Sequence, residues 1–356
     1  MTAIEVEEAR GITLGVDTHK DAHVVAAFDS VGRVLGTHAF RSSADGYAAL
    51  LAWAKQFGPV CKAGVEGSGS WGAGLARYLR AHAVDVREVS RPNRQHRRRF
   101  GKSDPADAVA AGRAVLAEDA TAQPKTGDGA VESLRLLRIA RRSANRARTQ
   151  AANQLWAVID TAPEPIREEC RTLSLQQIVR SASNFEIEGG LASPFAAARY
   201  ALRSLALRFC DLERERDDLD AQITSLVERA APSCLLQEFG VGPQTASALL
   251  IAVGDNPERL KSEGAFAALC GVSPVDASSG KMQRHRLNRG GDRQANHALW
   301  RIVMVRLRHD ESTKAYLARR IRDGKTKREA IRCLKRYVAR RIWRLLIANR
   351  AAQGTG

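Results

Sequence analysis

No stretch of this 356-residue chain approaches the roughly 18 uninterrupted apolar residues that a membrane span requires, so none is expected. Residues 1–10 are acidic and polar and lack the basic and apolar regions of a secretory signal, which predicts a cytoplasmic protein. The six cysteines (Cys61, Cys170, Cys210, Cys234, Cys270 and Cys333) form no CxxC pair and have no histidine at zinc-site spacing. That excludes a disulfide framework and a structural zinc and predicts free, mostly buried thiols. Aromatic residues are scarce at 5%, which argues against stacking of single-stranded bases and for backbone contact with any nucleic-acid partner. Acid is nearly missing from one end: residues 281–356 hold 22 Lys+Arg against 5 Asp+Glu, whereas 1–280 hold 34 of each. The net charge of +17 therefore resides in the last segment. A basic end of this kind is the footprint of a polyanion partner, because neutralising phosphates releases condensed counterions. A membrane surface fits less well, since no broad apolar face with aromatic anchors accompanies the charge.

What is present is globular: 44% apolar and 27% charged residues, over a length that predicts two or three domains. The segments GITLGVD, AHVVAAF and RVLGTHAF read as three strands of an antiparallel meander, followed by a helix over 44–56, a strand CKAGVEG, a helix over 71–83 and a strand over 84–89. A mixed α/β sheet of the RNase H-like kind is the expectation. SRPNRQHRRRFGK, 90–102, is too basic and turn-rich for core and reads as a loop, after which the chain turns helical from Asp104. Long helices are predicted over 131–160 and 195–231. In the second, Leu202, Leu205, Phe209, Leu212, Leu219, Ile223 and Leu226 keep heptad spacing; in the first, Leu134, Leu137, Ala144, Ala147, Ala151, Leu155 and Val158 come close to it. These helices are expected to form a coiled coil, folded back on itself or shared between subunits. Residues 163–193 show no sustained periodicity. Helices are expected over 244–253, 262–268, 294–308 and 327–348, giving domains at 1–125, 126–231 and 232–356.

Asp17 ends the first strand in GVDTHK, and Glu66 ends the fourth in AGVEGSG, where a glutamate among Ala, Gly and Val is costly to bury unless paired or metal-bound. In SDPADA, Asp104 and Asp107 are three apart at a helix start and so share a face. Each alone has a plain alternative: Asp17 as a turn residue, Asp104 as an N-cap, Asp107 as a helix-dipole partner. Four such acids on two strand ends and one helix suit hard divalent cations, Mg²⁺ or Mn²⁺, for phosphodiester chemistry. In EFGVGPQTASALL, Gly240 and Gly242 precede a helix as in a helix-hairpin-helix turn, whose amides suit a phosphate; an ordinary tight turn is the alternative. Further on, Lys281, Arg284, His285, Arg286, Arg289 and Arg293 alternate with glycines after Ser278 and Ser279. A serine needs a base, a metal or cations to act as nucleophile, and here cations abound.

Taken in order, GVDTHK, AGVEGSG, KSDPADA, FGVGPQTASALL and ASSGKMQRHRLNRGGDRQANHAL closely resemble the DEDD transposases of insertion sequences, the bridge-RNA-guided serine recombinases. The resemblance covers nearly the whole chain. It implies an RNase H-like (RuvC-like) domain, a coiled-coil insertion used in assembly, and a mainly α C-terminal transposase domain with a helix-hairpin-helix. By motif it assigns Asp17, Glu66, Asp104 and Asp107 to a metal-binding tetrad and Ser279 to the nucleophile, with Ser278 the neighbour that the doubled serine leaves open. It further implies element-end and target DNA, a structured guide RNA and a homo-oligomer, dimer or tetramer, as partners. Three other readings stay open. A Holliday-junction-type endonuclease using metal-activated water would not need Ser279, a non-catalytic nucleic-acid binder would not need the acids, and a sugar-kinase-like ATPase would need an adenosine-binding glycine motif that is absent.

Overall fold

The computed structural model describes residues 11–89, 103–280 and 285–353, with side chains through 346. The basic 90–102 segment, Lys281 and Arg284 lie outside the described residues. The chain divides into two compact units, Met1–Gly129 with Val253–Ser262, and Ala130–Ala252 with Glu263–Gly356.

In the first unit the meander forms as expected: β1 (Ile12–Thr18) pairs antiparallel with β2 (Ala22–Phe28), and β2 with β3 (Val34–Arg41). On the other side of β1, β4 (Val60–Glu66) and β5 (Asp85–Val89) add in parallel, giving the order β3-β2-β1-β4-β5. A parallel step needs a crossover, and the two helices that sequence periodicity marks supply both: α1 (Ala44–Lys55) leads into β4 and α2 (Ala73–Ala81) into β5. Ser43 starts α1, its hydroxyl accepting the Gly46 N–H at 3.2 Å. Period-2 alternation then sorts β1. Ile12, Leu14 and Val16 join Leu50, Leu51, Leu75 and Leu79 of α1 and α2 in one core, at about 1.5–3 kcal/mol per buried aliphatic side chain. The opposite face of β1 carries Gly15 and Asp17, and α3 (Asp104–Leu116) lies across it. That approach depends on Gly15, because a Cβ there would stand 2.1 Å from the Ala108 carbonyl oxygen and 2.2 Å from the Gly112 nitrogen. The later segment closes this unit, as Asn256 donates from Nδ2 to the Pro124 carbonyl at 3.0 Å and accepts the Thr126 N–H at 3.1 Å.

The second unit is mainly helical. Its two long helices, α4 (Ala130–Thr161) and α7 (Pro194–Ala230), run antiparallel, since Arg148 meets Glu213 at 3.0 Å while Arg141, earlier on α4, meets Asp220, later on α7. The expected seam is partly kept: Leu134, Ala144, Ala151 and Leu155 face Leu202, Phe209 and Ile223, whereas Ala152, Ile159, Ala206 and Val227 are buried where Leu205, Leu212, Leu219 and Leu226 are only half-buried. The reason lies in 163–193, which the sequence reading leaves without structure. It folds into α5 (Glu164–Cys170) and α6 (Leu175–Ser183), whose Ile166, Cys170, Ile178, Val179 and Ala182 pack against the pair and widen its apolar stripe. The chain continues through α8 (Ser233–Leu236), α9 (Pro243–Val253), α10 (Glu263–Leu269), a short hairpin of β6 (Val275–Asp276) and β7 (His285–Arg286), then α11 (Arg293–His309), α12 (Glu311–Arg322) and α13 (Lys327–Gln353).

Among the described residues no helix is long and apolar enough to cross a membrane. None of the six cysteines is in a disulfide, but only Cys170 and Cys270 are buried, which corrects the expectation of mostly buried thiols; burial pushes Cys270 up to about 12. The other four are partly open to solvent.

Candidate active site

Two strand ends and one helix start converge at the carboxyl edge of the parallel pair β1 and β4, the edge at which open α/β sheets bind ligands. Asp17, near the end of β1, is 6% exposed. The β1–β4 register sets Gly15 opposite Gly64 and Val16 opposite Val65, so Asp17 and Glu66 come next in the two strands, on the face that α3 covers. Thr18 ties the two ends together, its Oγ1 donating to the Glu66 carbonyl at 2.8 Å.

From the other side comes the first turn of α3. Here Ser103, not Asp104, is the N-cap: its Oγ accepts the Ala106 N–H at 3.4 Å. Asp104 is thereby spared the capping role that competes for it in the sequence, and Pro105 occupies the first turn as expected. One helical turn on, Asp107 is 7% exposed.

The residue that sequence reasoning missed is His19. Its Nε2 lies 3.1 Å from Asp17 Oδ2 and 3.4 Å from Asp104 Oδ1, bridging the two acids. Among the described residues, Asp17, His19 and Asp104 make up the group whose ligand atoms all lie within 4.8 Å of one another; the carboxylates of Glu66 and Asp107 fall outside it. The signal was present in DTHK, where His19 follows Asp17 by two and so returns to the same side of the chain.

Burial lifts the Asp17 carboxyl above its usual range. His19 beside it pulls the other way, and the negative charges of Asp107 and Asp104 push it further up. Three acids within electrostatic reach of one another, two of them enclosed, are a site short of positive charge. A divalent cation would reverse both the burial and the like-charge effects, and the carboxylate oxygens are the hard donors that such ions take. The donor set therefore fits a Mg²⁺ or Mn²⁺ ion, and the His19 imidazole suits Mn²⁺ better than Mg²⁺.

The other predicted residues lie in the second unit. Ser279 is exposed, just past β6 in the hairpin. Its neighbour Ser278 is engaged: both its N–H, at 2.9 Å, and its hydroxyl, at 2.5 Å, donate to Asp276 Oδ1, and these bonds hold the Asp276 carboxyl below its usual range. That is a turn-forming arrangement. His285, Arg286, Arg289 and Arg293 are all exposed, and the last two line a cleft of about 340 Å³ with Asn288, His297, Trp300 and Lys335. In the GVGP turn, Gly240 has φ +84° and Gly242 donates its N–H to Thr245 Oγ1 at 3.0 Å, so that amide already has a partner. The helix before the turn, α8, is a single turn.

An acid cluster at a sheet edge is the donor set found in metal-dependent proteins that act on phosphodiesters. The particular family comes from comparison. Residues 14–162 match the family model of the IS110 DEDD type described as "Transposase", and residues 233–318 match that of the "Transposase IS116/IS110/IS902 family". Over 135 residues, 37% of this chain, it is 32% identical to the insertion element IS110 uncharacterized 43.6 kDa protein of Streptomyces coelicolor. Over 144 residues, 40% of the chain, it is 27% identical to the insertion element IS900 uncharacterized 42 kDa protein of Mycobacterium paratuberculosis. The matched segments span 33% and 36% of those relatives' own lengths. Over these segments the chain is similar to DEDD transposases of the IS110/IS116 family.

Proposed function

We propose that this chain is a cytoplasmic DNA transposase that excises and inserts a mobile element by cutting and rejoining DNA strands. The observation that carries the reading is the convergence of Asp17 and Asp104, with Asp107 in electrostatic reach, on one edge of the sheet. The strand order β3-β2-β1-β4-β5 supports an RNase H-like domain, in which Asp17 and Asp104, together with Glu66 and Asp107, would hold one or two divalent cations. Bound there, Mg²⁺ or Mn²⁺ would neutralise charge building on the scissile phosphate.

The chain's own part is nucleophilic. The Ser279 Oγ forms a bond to phosphorus as the bond to the 3′-oxygen breaks; the serine proton leaves to solvent and the departing oxygen takes one up. The product is a 5′-phosphoserine and a free 3′-hydroxyl. A 3′-hydroxyl from the partner strand then attacks the same phosphorus and expels Ser279, which regains its proton, so the bonds balance without hydrolysis. Ser279 has open access, whereas the Ser278 hydroxyl is tied to Asp276, which favours Ser279. Lys281, Arg284, His285, Arg286, Arg289 and Arg293 would grip flanking phosphates, and the Gly240–Gly242 turn would add backbone contact once Gly242 releases Thr245. The α4–α7 pair would serve as a coiled coil in a dimer or tetramer, with domains divided at 125 and 231, and a structured RNA would template the target.

The competing reading is a junction-type endonuclease that uses metal-activated water. It is favoured by one observation, that all four acids lie in a single unit and need no serine from the other. Incubation with element-end DNA, candidate RNA and Mg²⁺ separates the two. A protease-sensitive protein–DNA adduct, lost in both Ser279→Ala and Asp17→Asn, supports the recombinase; cleavage without adduct that survives Ser279→Ala supports the nuclease.

A further inference from the structure

The second unit contains a cavity of about 340 Å³ between α4, α9 and α11, where two of the motifs meet a run of arginines on α4 that the sequence reading leaves unmarked. Its wall carries Arg135, Arg138, Arg141, Arg142 and Arg301 against a single carboxylate, Asp292. An ion-pair network would explain arginines with acidic partners, and it explains two of these. Arg135 is held by Glu132 at 2.6 Å and Arg141 by Asp220. Arg138, Arg142 and Arg301 have no carboxylate within salt-bridge distance among the described residues. Asp292 is itself engaged, accepting the N–H groups of Gln294 at 2.8 Å and Ala295 at 3.0 Å as the N-cap of α11.

Arg138 is fixed in place rather than waving in solvent. Its Nη1 donates to the Gln244 carbonyl at 2.8 Å, to Gln244 Oε1 at 3.0 Å and to Ser247 Oγ at 2.7 Å. All three acceptors are neutral, so no carboxylate among the described residues pairs with the charge directly, and Asp220 and Asp292 offset it only in part from farther away. Burial pulls its guanidinium below the usual range, and the charges of Arg141 and Arg142 add to that. The amino ends of α9 and α11 also open here, through Gln244 and Gln294, and contribute the positive ends of two helices.

We propose that this cavity is an anion site that takes a backbone phosphodiester of a bound nucleic-acid strand. The inference rests on the transposase reading for the identity of its ligand, and the cavity's arginines are not among the basic residues that the sequence marks around the hairpin. Three arginines with no direct ion-pair partner among the described residues, around one concave site, provide the planar donors that grip phosphate oxygens in pairs. Against about 30 Å³ per water in the liquid, the volume admits a phosphodiester with part of its hydration shell. The contact is to backbone and not to base, because the lining's one ring, His297, is already stacked on Trp300 at 5.6 Å. Recognition here is therefore independent of sequence.

The test uses the full chain in EDTA, so that no chemistry intervenes, and measures fluorescence anisotropy with a labelled duplex DNA and a labelled single-stranded RNA across a salt series. Arg142 and Arg301 are exposed, so Arg142→Gln/Arg301→Gln leaves the core untouched. The expected result is a Kd raised about tenfold and a slope of log Kd against log[salt] shallower by roughly 1 to 2, alike for unrelated sequences. Arg142→Lys/Arg301→Lys should keep most of the slope. A loss confined to DNA, or to RNA, assigns the strand that occupies the site and supports the proposal. Unchanged slopes for both polymers, with wild-type binding intact, overturn the site and leave the transposase reading standing. Wild type that binds neither polymer sinks both.

Discussion

Asp17 and Arg138 are the same physical problem with the sign reversed. Each is a charged group that the fold encloses, and each has its ionisation disfavoured first by burial and then by like charges nearby: Asp107 and Asp104 for the carboxyl, Arg141 and Arg142 for the guanidinium. They differ in what holds them. Asp17 is held by strand register and by a glycine that lets α3 come close, so its geometry depends on backbone packing. Arg138 is held by side-chain hydrogen bonds to α9, so its geometry depends on a polar cluster. Enclosing a charge without its counter-ion costs stability, and the missing sign indicates the ligand: a cation at the first site and a phosphate at the second.

The comparison breaks most severely at Gly15. Gly15→Val would drive a side chain into the α3 backbone, and the account expects a loss of about 3 kcal/mol or more, read as a lower melting temperature, together with loss of divalent-cation binding. Removing the charge at the other site should be gentler. In Arg138→Met the buried Ser247 hydroxyl loses its donor, for a destabilisation of roughly 1–3 kcal/mol by chemical denaturation, while cation binding by the first unit stays unchanged. If Arg138→Met instead stabilised the protein, the guanidinium would be simple burial strain with no ordered setting.

Glu238 sharpens the contrast, as a charge in the second unit whose partners are present. Burial pushes its carboxyl up, but hydrogen bonds and charges from Arg341 and Arg306 overcome this and leave it below its usual range. A carboxyl whose folded value is depressed stabilises the protein above its unfolded value, about 4.3 to 4.5, and that contribution disappears as pH falls through the folded value. Glu238→Gln should therefore cost roughly 1–2 kcal/mol near neutrality, and the gap from wild type in thermal melts should close below about pH 4. A gap independent of pH would mean that the side chain matters only for packing.

Most of the sheet was legible because strands of this unit alternate cleanly and end in turn residues; β1, β2 and β4 fall within a residue or two of their predicted positions. The short helices α5 and α6 were hidden because each is too short to display a 3.6-residue period. The capping box of Ser174 and Gln177 at the start of α6 was the local sign that could have revealed one of them. Helix α12 was also missed, though Asp310 caps it by accepting the Thr313 N–H at 3.0 Å; its length equals that of α1, but Thr313 is its one buried residue, so no apolar stripe marks it. At the site, Asp17 and Glu66 stand at strand ends and Asp104 and Asp107 at a helix start, places the sequence marks, whereas His19 had only its spacing of two from Asp17 as a sign, because a histidine in a turn carries no periodic signal. The arginine cavity went unmarked for a different reason. Arg135, Arg138 and Arg142 recur at helical spacing on α4, and a charged helix face ordinarily reads as solvated; only α9 and α11, distant in sequence, turn that face into a wall.

The account depends most directly on the first site binding a metal. Calorimetric titration of Mn²⁺ into the full chain, with Asp17→Asn and Glu238→Gln beside it, addresses this without DNA, RNA or catalysis. The account predicts saturable binding by wild type and Glu238→Gln and a loss of at least about tenfold in affinity for Asp17→Asn. Equal binding by all three would contradict it, and would return Asp17 to the role of a turn residue.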